Sequence, residues 1–375
     1  MIELKDLTIR AAETSDTIPI SNLLIAHGLV IPGETDEDKR DLHWRRWWDT
    51  NPYYKNSPHP ITYGWVMIFE GRIVGFFGCI PRIYFRNQAM VPLAVGSAWA
   101  VEKDFRPFIH LLSDQFFVKN PIKIKLGTTT SKPVARYFEK YGGRAVSNPD
   151  LQEVYMIPIR LKRLAMFKAA GLTGKYPAMK PFLSLALSLI PWSWQHQMIP
   201  ADPHFQETAL NQLDARFETF WQKCLSANRG FLTSRSLETM KWYYGGKPSP
   251  WSKQLFLYTA ATGEILGYAS MMKQAVKDND QLIRYTVVDL LALDKTSEKK
   301  IFKGLIRYAA HHQFDVLEVP LPGKIKRKDI PALTFVRKVA FFPVFYQNAD
   351  PEDETYYQDP VNWQITPFDG DTCLG

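Results

Sequence analysis

The chain has 375 residues, 46% hydrophobic and 22% charged, a balance that suits two globular domains and excludes a disordered chain. A net charge of +8 favours an anionic partner (a cofactor phosphate, a nucleotide-linked substrate or an acidic membrane face), but the lysines and arginines are scattered, which argues against DNA. Cys79, Cys224 and Cys373 have neither C-x-x-C spacing nor a His-rich partner, which excludes a disulfide framework and a zinc site.

In chain order, residues 7–10 predict a short strand, followed by a helix running through Leu24 and Ile25 with Ser15 or Asp16 as its cap. Residues 1–7 lack the basic and then apolar pattern of a signal peptide, so a cytoplasmic protein is expected. Apolar runs at 64–70 and 72–79 meet at Glu70-Gly71 and predict a hairpin. A further apolar run covers 95–101. Phe108, Ile109, Leu111, Leu112, Phe116 and Phe117 then fall at helical spacing behind Pro107. A strand is predicted at 122–126. Aromatic residues make up 14% of the chain, mostly as core, with some left to line grooves.

Residues 160–205 read as a basic and apolar helical linker. Its stretch between Pro181 and Pro191 is shorter than the about 20 residues that cross a bilayer. Peripheral membrane contact through 160–195 is the alternative. The second half begins with a hairpin, 254–259 and 264–271, turning through Ala261-Thr262-Gly263. An apolar run at 287–293 follows, then a helix through Ile301, Phe302, Leu305 and Ile306 capped by Thr296 or Ser297, and a strand at 314–318. The cluster Lys324-Ile325-Lys326-Arg327-Lys328 reads as a solvated loop, and Asp369-Gly370-Asp371 as a tight turn.

The two halves repeat. Gly71-Arg72-Ile73-Val74-Gly75-Phe76 recurs as Gly263-Glu264-Ile265-Leu266-Gly267-Tyr268, an offset of 192 (263 − 71), and 122–126 recurs at 314–318 with the same offset. The run at 95–101 falls opposite 287–293. Phe138-Glu139-Lys140 is set against Val336-Arg337-Lys338, and Trp47-Trp48 against Trp242. Each half predicts hairpin, strand, helix, strand, helix: a mixed α/β unit.

Ile9-Arg10-Ala11-Ala12-Glu13-Thr14-Ser15-Asp16, the run 95–101 followed by Arg106, and Thr128-Thr129-Thr130-Ser131 through Phe138-Glu139-Lys140-Tyr141-Gly142 carry a resemblance to the GNAT superfamily of acyl-CoA-dependent N-acyltransferases, over roughly residues 7–146. The second half matches more weakly. The chain therefore resembles tandem GNAT proteins: an N-terminal module at 1–159, a linker at 160–205 and a degenerate module at 206–375. The ending Asn362-Trp363-Gln364-Ile365-Thr366-Pro367-Phe368-Asp369-Gly370-Asp371 is similar to tandem GNAT-like proteins of bacterial envelope and polysaccharide biosynthesis.

The resemblance implies a mixed sheet with flanking helices, and acetyl-CoA or another acyl-CoA as co-substrate without a metal. A backbone N–H on a splayed strand polarises the thioester carbonyl, and an acid and a base move protons. Ala100, Val101, Arg106, Phe108, Ile109 and Ser131 then fall at the cofactor. The family's phosphate loop is glycine-rich; Arg106-Pro107-Phe108-Ile109-His110 is not, and Pro107 removes one N–H. The family's acidic tyrosine aligns with Phe138, which cannot donate a proton, and Tyr137 and Tyr141 flank it. Glu102 and Asp104 are the nearest base candidates by sequence. His110 reads as structural.

Asp294-Lys295-Thr296-Ser297-Glu298 opposes phosphate with acids, so one site is expected, in the first half, with the acceptor entering between the modules near Trp47 and Trp48. The implied activity is transfer of an acyl group, acetyl being expected, to an amine of a sugar or envelope precursor. The alternatives are a non-catalytic GNAT-fold binding or assembly protein and an aminoacyl-tRNA-dependent transferase. Hydrolase-elbow, Walker, zinc-protease and dinucleotide fingerprints are absent.

Overall fold

The strand pattern of each half builds its own mixed sheet. The computed structural model describes residues 2–29, 36–56, 62–128, 130–146, 153–175, 199–227, 230–245, 253–273, 282–320, 334–338 and 344–370. In chain order the strands are β1 (Leu7–Ala11), β2 (Gly64–Phe69), β3 (Arg72–Arg86), β4 (Ala89–Val101), β5 (Ile124–Gly127), β6 (Arg144–Ala145) and β7 (Glu153–Pro158). They continue with β8 (Phe205–Glu207), β9 (Leu232–Thr233), β10 (Lys253–Thr259), β11 (Ile265–Lys273), β12 (Arg284–Ala292), β13 (Val316–Val319), β14 (Phe335–Lys338) and β15 (Phe345–Asn348).

One sheet is 8-stranded, ordered β1-β2-β3-β4-β5-β15-β6 with β9 on β3; the other is 7-stranded, ordered β14-β7-β13-β12-β11-β10-β8. The β2–β3 hairpin turns where Glu70 (φ 47°) and Gly71 (φ 75°) take the left-handed backbone that a tight hairpin turn requires. In each sheet a long strand from the hairpin passes antiparallel to the next strand, which runs parallel to a short one: β4 to β5, and β12 to β13. The second short strand starts 192 residues after the first (316 − 124), the offset read from the sequence.

One of the aligned anchors is corrected. Phe138-Glu139-Lys140 lies in the helix Lys132–Lys140, whereas Val336-Arg337-Lys338 lies on β14, so these segments are not equivalent. Trp242, set against Trp47 in the repeat, also packs on it: their rings meet edge to face at 5.1 Å.

The chain divides into two compact units, each assembled from separate stretches. The first comprises 1–148, 228–249 and 340–375; the second comprises 149–227 and 250–339. Boundaries at 159 and 205 follow the chain, but each half of the sequence gives a strand to the sheet of the other half. The first sheet takes β15, from the end of the sequence, between β5 and β6. The second takes β7, from its middle, between β13 and β14. In the linker, Leu161–Lys175 is helical as expected. The apolar stretch 181–192, Lys324–Lys328 and Cys373 lie outside the described residues. No described helix is long and apolar enough to cross a membrane.

Two cap expectations are also corrected. Asp16 precedes the helix Thr17–Ala26 but does not cap it. Its carboxylate accepts from Arg10 at 2.6 and 2.8 Å and from the Glu13 N–H at 2.8 Å, because a buried carboxylate is better satisfied by a guanidinium fork. The helix Lys295–His311 is capped one position before its start by Asp294, not by Thr296 or Ser297. The core of the first unit gathers Phe77, Phe116, Phe117 and Phe138 on one sheet face. That of the second gathers Phe256, Val287, Leu305 and Leu317.

Candidate active site

The candidate site is the place in the first unit where β4 bulges against β3 and runs on past its last partner on β5. Along β3, Phe76 pairs with Ala100 and Gly78 with Ser97, so Ala98 and Trp99 together oppose Phe77. This is a bulge, and Ala98 sits in it at φ 45°, a conformation that costs a side-chain-bearing residue energy. On the other side, β4 pairs with β5 at Leu93, Ala94 and Val95 and the ladder then stops, while β4 runs on to Val101. A strand past its last parallel partner presents backbone N–H and C=O groups along one edge, and such groups demand partners. An N–H there can polarise a carbonyl laid against it.

Two buried side-chain donors beside this opening have no hydrogen-bond partner among the described residues: Trp99 Nε1 and Thr128 Oγ1. Trp99 belongs to the bulge; its ring stacks on Phe77 at 4.4 Å and meets the Tyr137 ring edge to face at 4.9 Å. Tyr137 thereby reaches β4 from the helix Lys132–Lys140. It is half-buried, and burial raises its phenol above the ordinary value. Its neighbours are committed elsewhere. Phe138 is 1% exposed and lies so close to the end of β5 that a Cβ on Gly127 would meet its ring at 2.7 Å. Tyr141 donates to the Asp114 carboxylate and stacks on Phe117 at 4.7 Å. Burial first and Asp114 second raise the Tyr141 phenol well above its usual range.

Behind the bulge, Ala100 and Val101 are buried and pair with Phe76 and Gly75. Glu102 holds Arg72 with both carboxylate oxygens, one of them at 3.0 Å. The residues Lys103–Phe108 form a 3-10 turn in which Asp104 and Arg106 are exposed. The Ile109 N–H donates to the Arg106 carbonyl at 3.2 Å, so this expected phosphate donor already has a partner. Phe108 and Ile109 are half-buried against the first core, and His110 Nδ1 lies 3.2 Å from the Pro107 carbonyl. No side chain caps this turn. Ser131 is exposed ahead of the helix Lys132–Lys140, and its carbonyl accepts from the Ala135 N–H at 2.9 Å.

Trp47 and Trp48 are 3% and 2% exposed and offer a ligand almost no surface. Trp48 stacks on Tyr63 at 4.4 Å, and Trp47 packs on Trp242. The helix Glu37–Asp49 turns these rings inward because Trp44, Trp47 and Trp48 share one face. Sequence reasoning missed Trp99 and Ala98; the signal was a bulky ring beside small residues in an otherwise regular strand. No group of His, Cys, Asp and Glu able to hold a metal occurs among the described residues.

No protein-family model matches the sequence, and no curated protein matches it. Solved structures do match in fold. A protein from Enterococcus faecalis V583, described as a probable N-acyltransferase, aligns over 92% of this chain and 73% of its own, with a TM-score of 0.57 at 10% identity. A GCN5-related N-acetyltransferase from Anabaena variabilis ATCC 29413 gives the same coverage and TM-score at 11% identity. The N-myristoyltransferase of Saccharomyces cerevisiae, solved with myristoyl-CoA, aligns over 93% of this chain and 80% of its own with a TM-score of 0.51 at 11% identity. The chain thus has the fold of the GCN5-related N-acetyltransferases, and at these identities the likeness is one of fold.

Proposed function

We propose that the chain is an acyl-CoA-dependent N-acyltransferase whose single donor site lies along β4 of the first unit. The observation that carries this reading is the bulge at Ala98 and Trp99 beside the end of the β4–β5 ladder. The unpartnered Trp99 Nε1 and Thr128 Oγ1 fit a bound polar group there. The donor would lie against Ala100 and Val101, with Arg106, Phe108 and Ser131 toward its phosphates.

Acyl-CoA supplies a thioester carbonyl. The acceptor amine attacks that carbon, a C–N bond forms and the C–S bond breaks. A β4 backbone N–H stabilises the developing oxyanion, the amine proton passes to a base, and the leaving thiolate is protonated. Tyr137, held at the bulge by Trp99, is the acid of this scheme. Of the carboxylates after β4, Glu102 is tied to Arg72 while Asp104 stands exposed, so Asp104 is the freer base. The acceptor is an amine of a sugar or envelope precursor and the acyl group acetyl, a reading that rests on the likeness of the chain's ending to tandem proteins of that chemistry.

Calorimetric titration of the full chain with acetyl-CoA, longer acyl-CoAs and CoA tests the donor. Saturable binding weakened in Arg106→Ala is expected. Silence toward every donor would leave a non-catalytic binding protein as the reading.

A further inference from the structure

In the second unit a groove of about 720 Å³ runs between residues 199–203 and the helix Lys295–His311. Lys300, Lys303, Arg307 and His311 line it at spacings of three, four and four, which sets them on one helical face. At 1.5 Å per residue, Lys300 and Arg307 stand about 10 Å apart along the axis.

The floor of the groove is built. A Cβ on Gly304 would meet the Phe205 ring at 2.5 Å, so glycine lets that ring lie directly on the helix. Phe205 stacks on Phe256 at 5.2 Å, and Tyr308 meets Phe256 edge to face at 4.7 Å. The Tyr308 hydroxyl is fixed by Glu207 at 2.7 Å and Gln254 at 2.8 Å. Arg307 donates to the Ile199 carbonyl and ties the opposite wall to the helix.

The charges do not balance. Lys300, Lys303 and Arg307 face one carboxylate among the lining residues, Asp202, which already accepts from the His204 N–H at 3.0 Å. Counting the lining lysines, Arg307 and Asp202 alone, the excess is two positive charges (3 − 1); Glu207, on the Tyr308 hydroxyl, and Asp294, near Lys300, stand outside the lining. On a convex helix face such a row is solvated; in a concavity with aromatic walls the fields of the cations add. The volume falls within the about 300–1,000 Å³ typical of small-molecule sites.

We propose that this groove binds a small molecule carrying two linked phosphates, of nucleoside diphosphate type. The phosphates lie along Lys300, Lys303 and Arg307, and the ring system rests on Phe205 and Tyr308. The excess of two charges matches a diphosphate better than a single carboxylate, and the concave shape suits a small molecule better than a membrane plane. The groove borders β8, the edge strand, at the far side of this sheet from the β12–β13 pair. It lies in the second unit, whereas the proposed donor site lies in the first.

The test is calorimetric titration of the full chain with ADP and with inorganic pyrophosphate, beside co-sedimentation with phosphatidylglycerol vesicles. The variants are Lys300→Glu, Lys303→Glu and Arg106→Ala. Lys300 and Lys303 are exposed, so both charge reversals keep the fold, as circular dichroism would verify. Expected are saturable ADP and pyrophosphate binding, at least tenfold weaker in each lysine variant and unchanged in Arg106→Ala. Binding that survives both lysine variants, binding lost in Arg106→Ala instead, or vesicle binding without ADP binding would each overturn the proposal. Acyl-CoA titration reads the β4 site separately, so either reading can fail alone.

Discussion

The two units use the same strand succession and finish it in opposite ways at the turn after the long strand. After β12, the Asp294 carboxylate accepts from the N–H groups of Thr296 and Ser297 at 2.8 and 2.9 Å and from the Ser297 hydroxyl at 2.8 Å. The donors that would face an anion at that helix start are consumed by the chain itself. After β4, no side chain caps the turn, and Arg106 stands exposed in it. The strands differ likewise. Asp289 on β12 is buried and accepts from Tyr268, whereas Trp99 on β4 keeps a buried N–H without a partner among the described residues. Topology alone thus does not make a site; a site needs donors that the protein leaves unsatisfied.

The largest test of this contrast is kinetic. Tyr137→Phe is expected to lower kcat about 100-fold or more, the usual worth of a positioned acid, with acyl-CoA affinity unchanged in calorimetry. Tyr141→Phe, which removes a partner of Asp114, is expected to act on stability instead. Equal kcat losses in both variants would remove Tyr137 from the chemistry.

Next in size is donor affinity. Arg106→Ala should weaken acyl-CoA binding about tenfold or more, as loss of a charge-assisted contact implies. Lys295→Ala, at the matching turn of the second unit, should leave it unchanged. Weakening by Lys295→Ala would mean that the second turn also meets phosphate.

The cap itself is measurable. Asp294→Ala should cost about 1 kcal/mol in denaturant unfolding and leave donor affinity alone. Hydrogen bonds from Ser297 first, and from Thr296, hold the Asp294 carboxyl below its ordinary value. A folded pKa below the unfolded one gives stabilisation that is complete above about pH 4 and lost as the pH falls through the folded value. The difference between wild type and Asp294→Ala should therefore shrink only in strong acid.

The smallest expected effect is that of Ala98→Gly at the β4 bulge, read against the β12 bulge. Ala98 adopts a left-handed backbone, so Ala98→Gly should be neutral or stabilise by up to about 1 kcal/mol in thermal unfolding. Val288, the extra residue opposite β11, is fully buried, so Val288→Gly should destabilise by more than about 1 kcal/mol. A destabilising Ala98→Gly would contradict strain at the β4 bulge.

Local signals carried the fold well. Glu70-Gly71 and Gly263 announce hairpins because few residues tolerate the left-handed backbone there, and both hairpins form. The offset of 192 is legible because equivalent strands bury equivalent apolar runs. The aligned pair Phe138 and Val336 misled because an apolar residue beside charged ones fits a helix face and a strand face alike. Asp16 misled for a related reason. A carboxylate before a helix reads as a cap, but Arg10, at the end of β1 just upstream, binds it more strongly.

The sequence by itself determined the elements, the hairpins, the repeated mixed α/β succession and the glycine-free turn at Arg106, since each depends on residues close in the chain. Tertiary structure alone decided the strand exchange of β7 and β15, the burial of Trp47 and Trp48, and the meeting of Trp99 with Tyr137. Those outcomes depend on which distant segments share a sheet edge or a core face. Backbone hydrogen bonding and hydrophobic burial reward any well-fitting partner wherever it lies in the sequence, so local pattern cannot announce them.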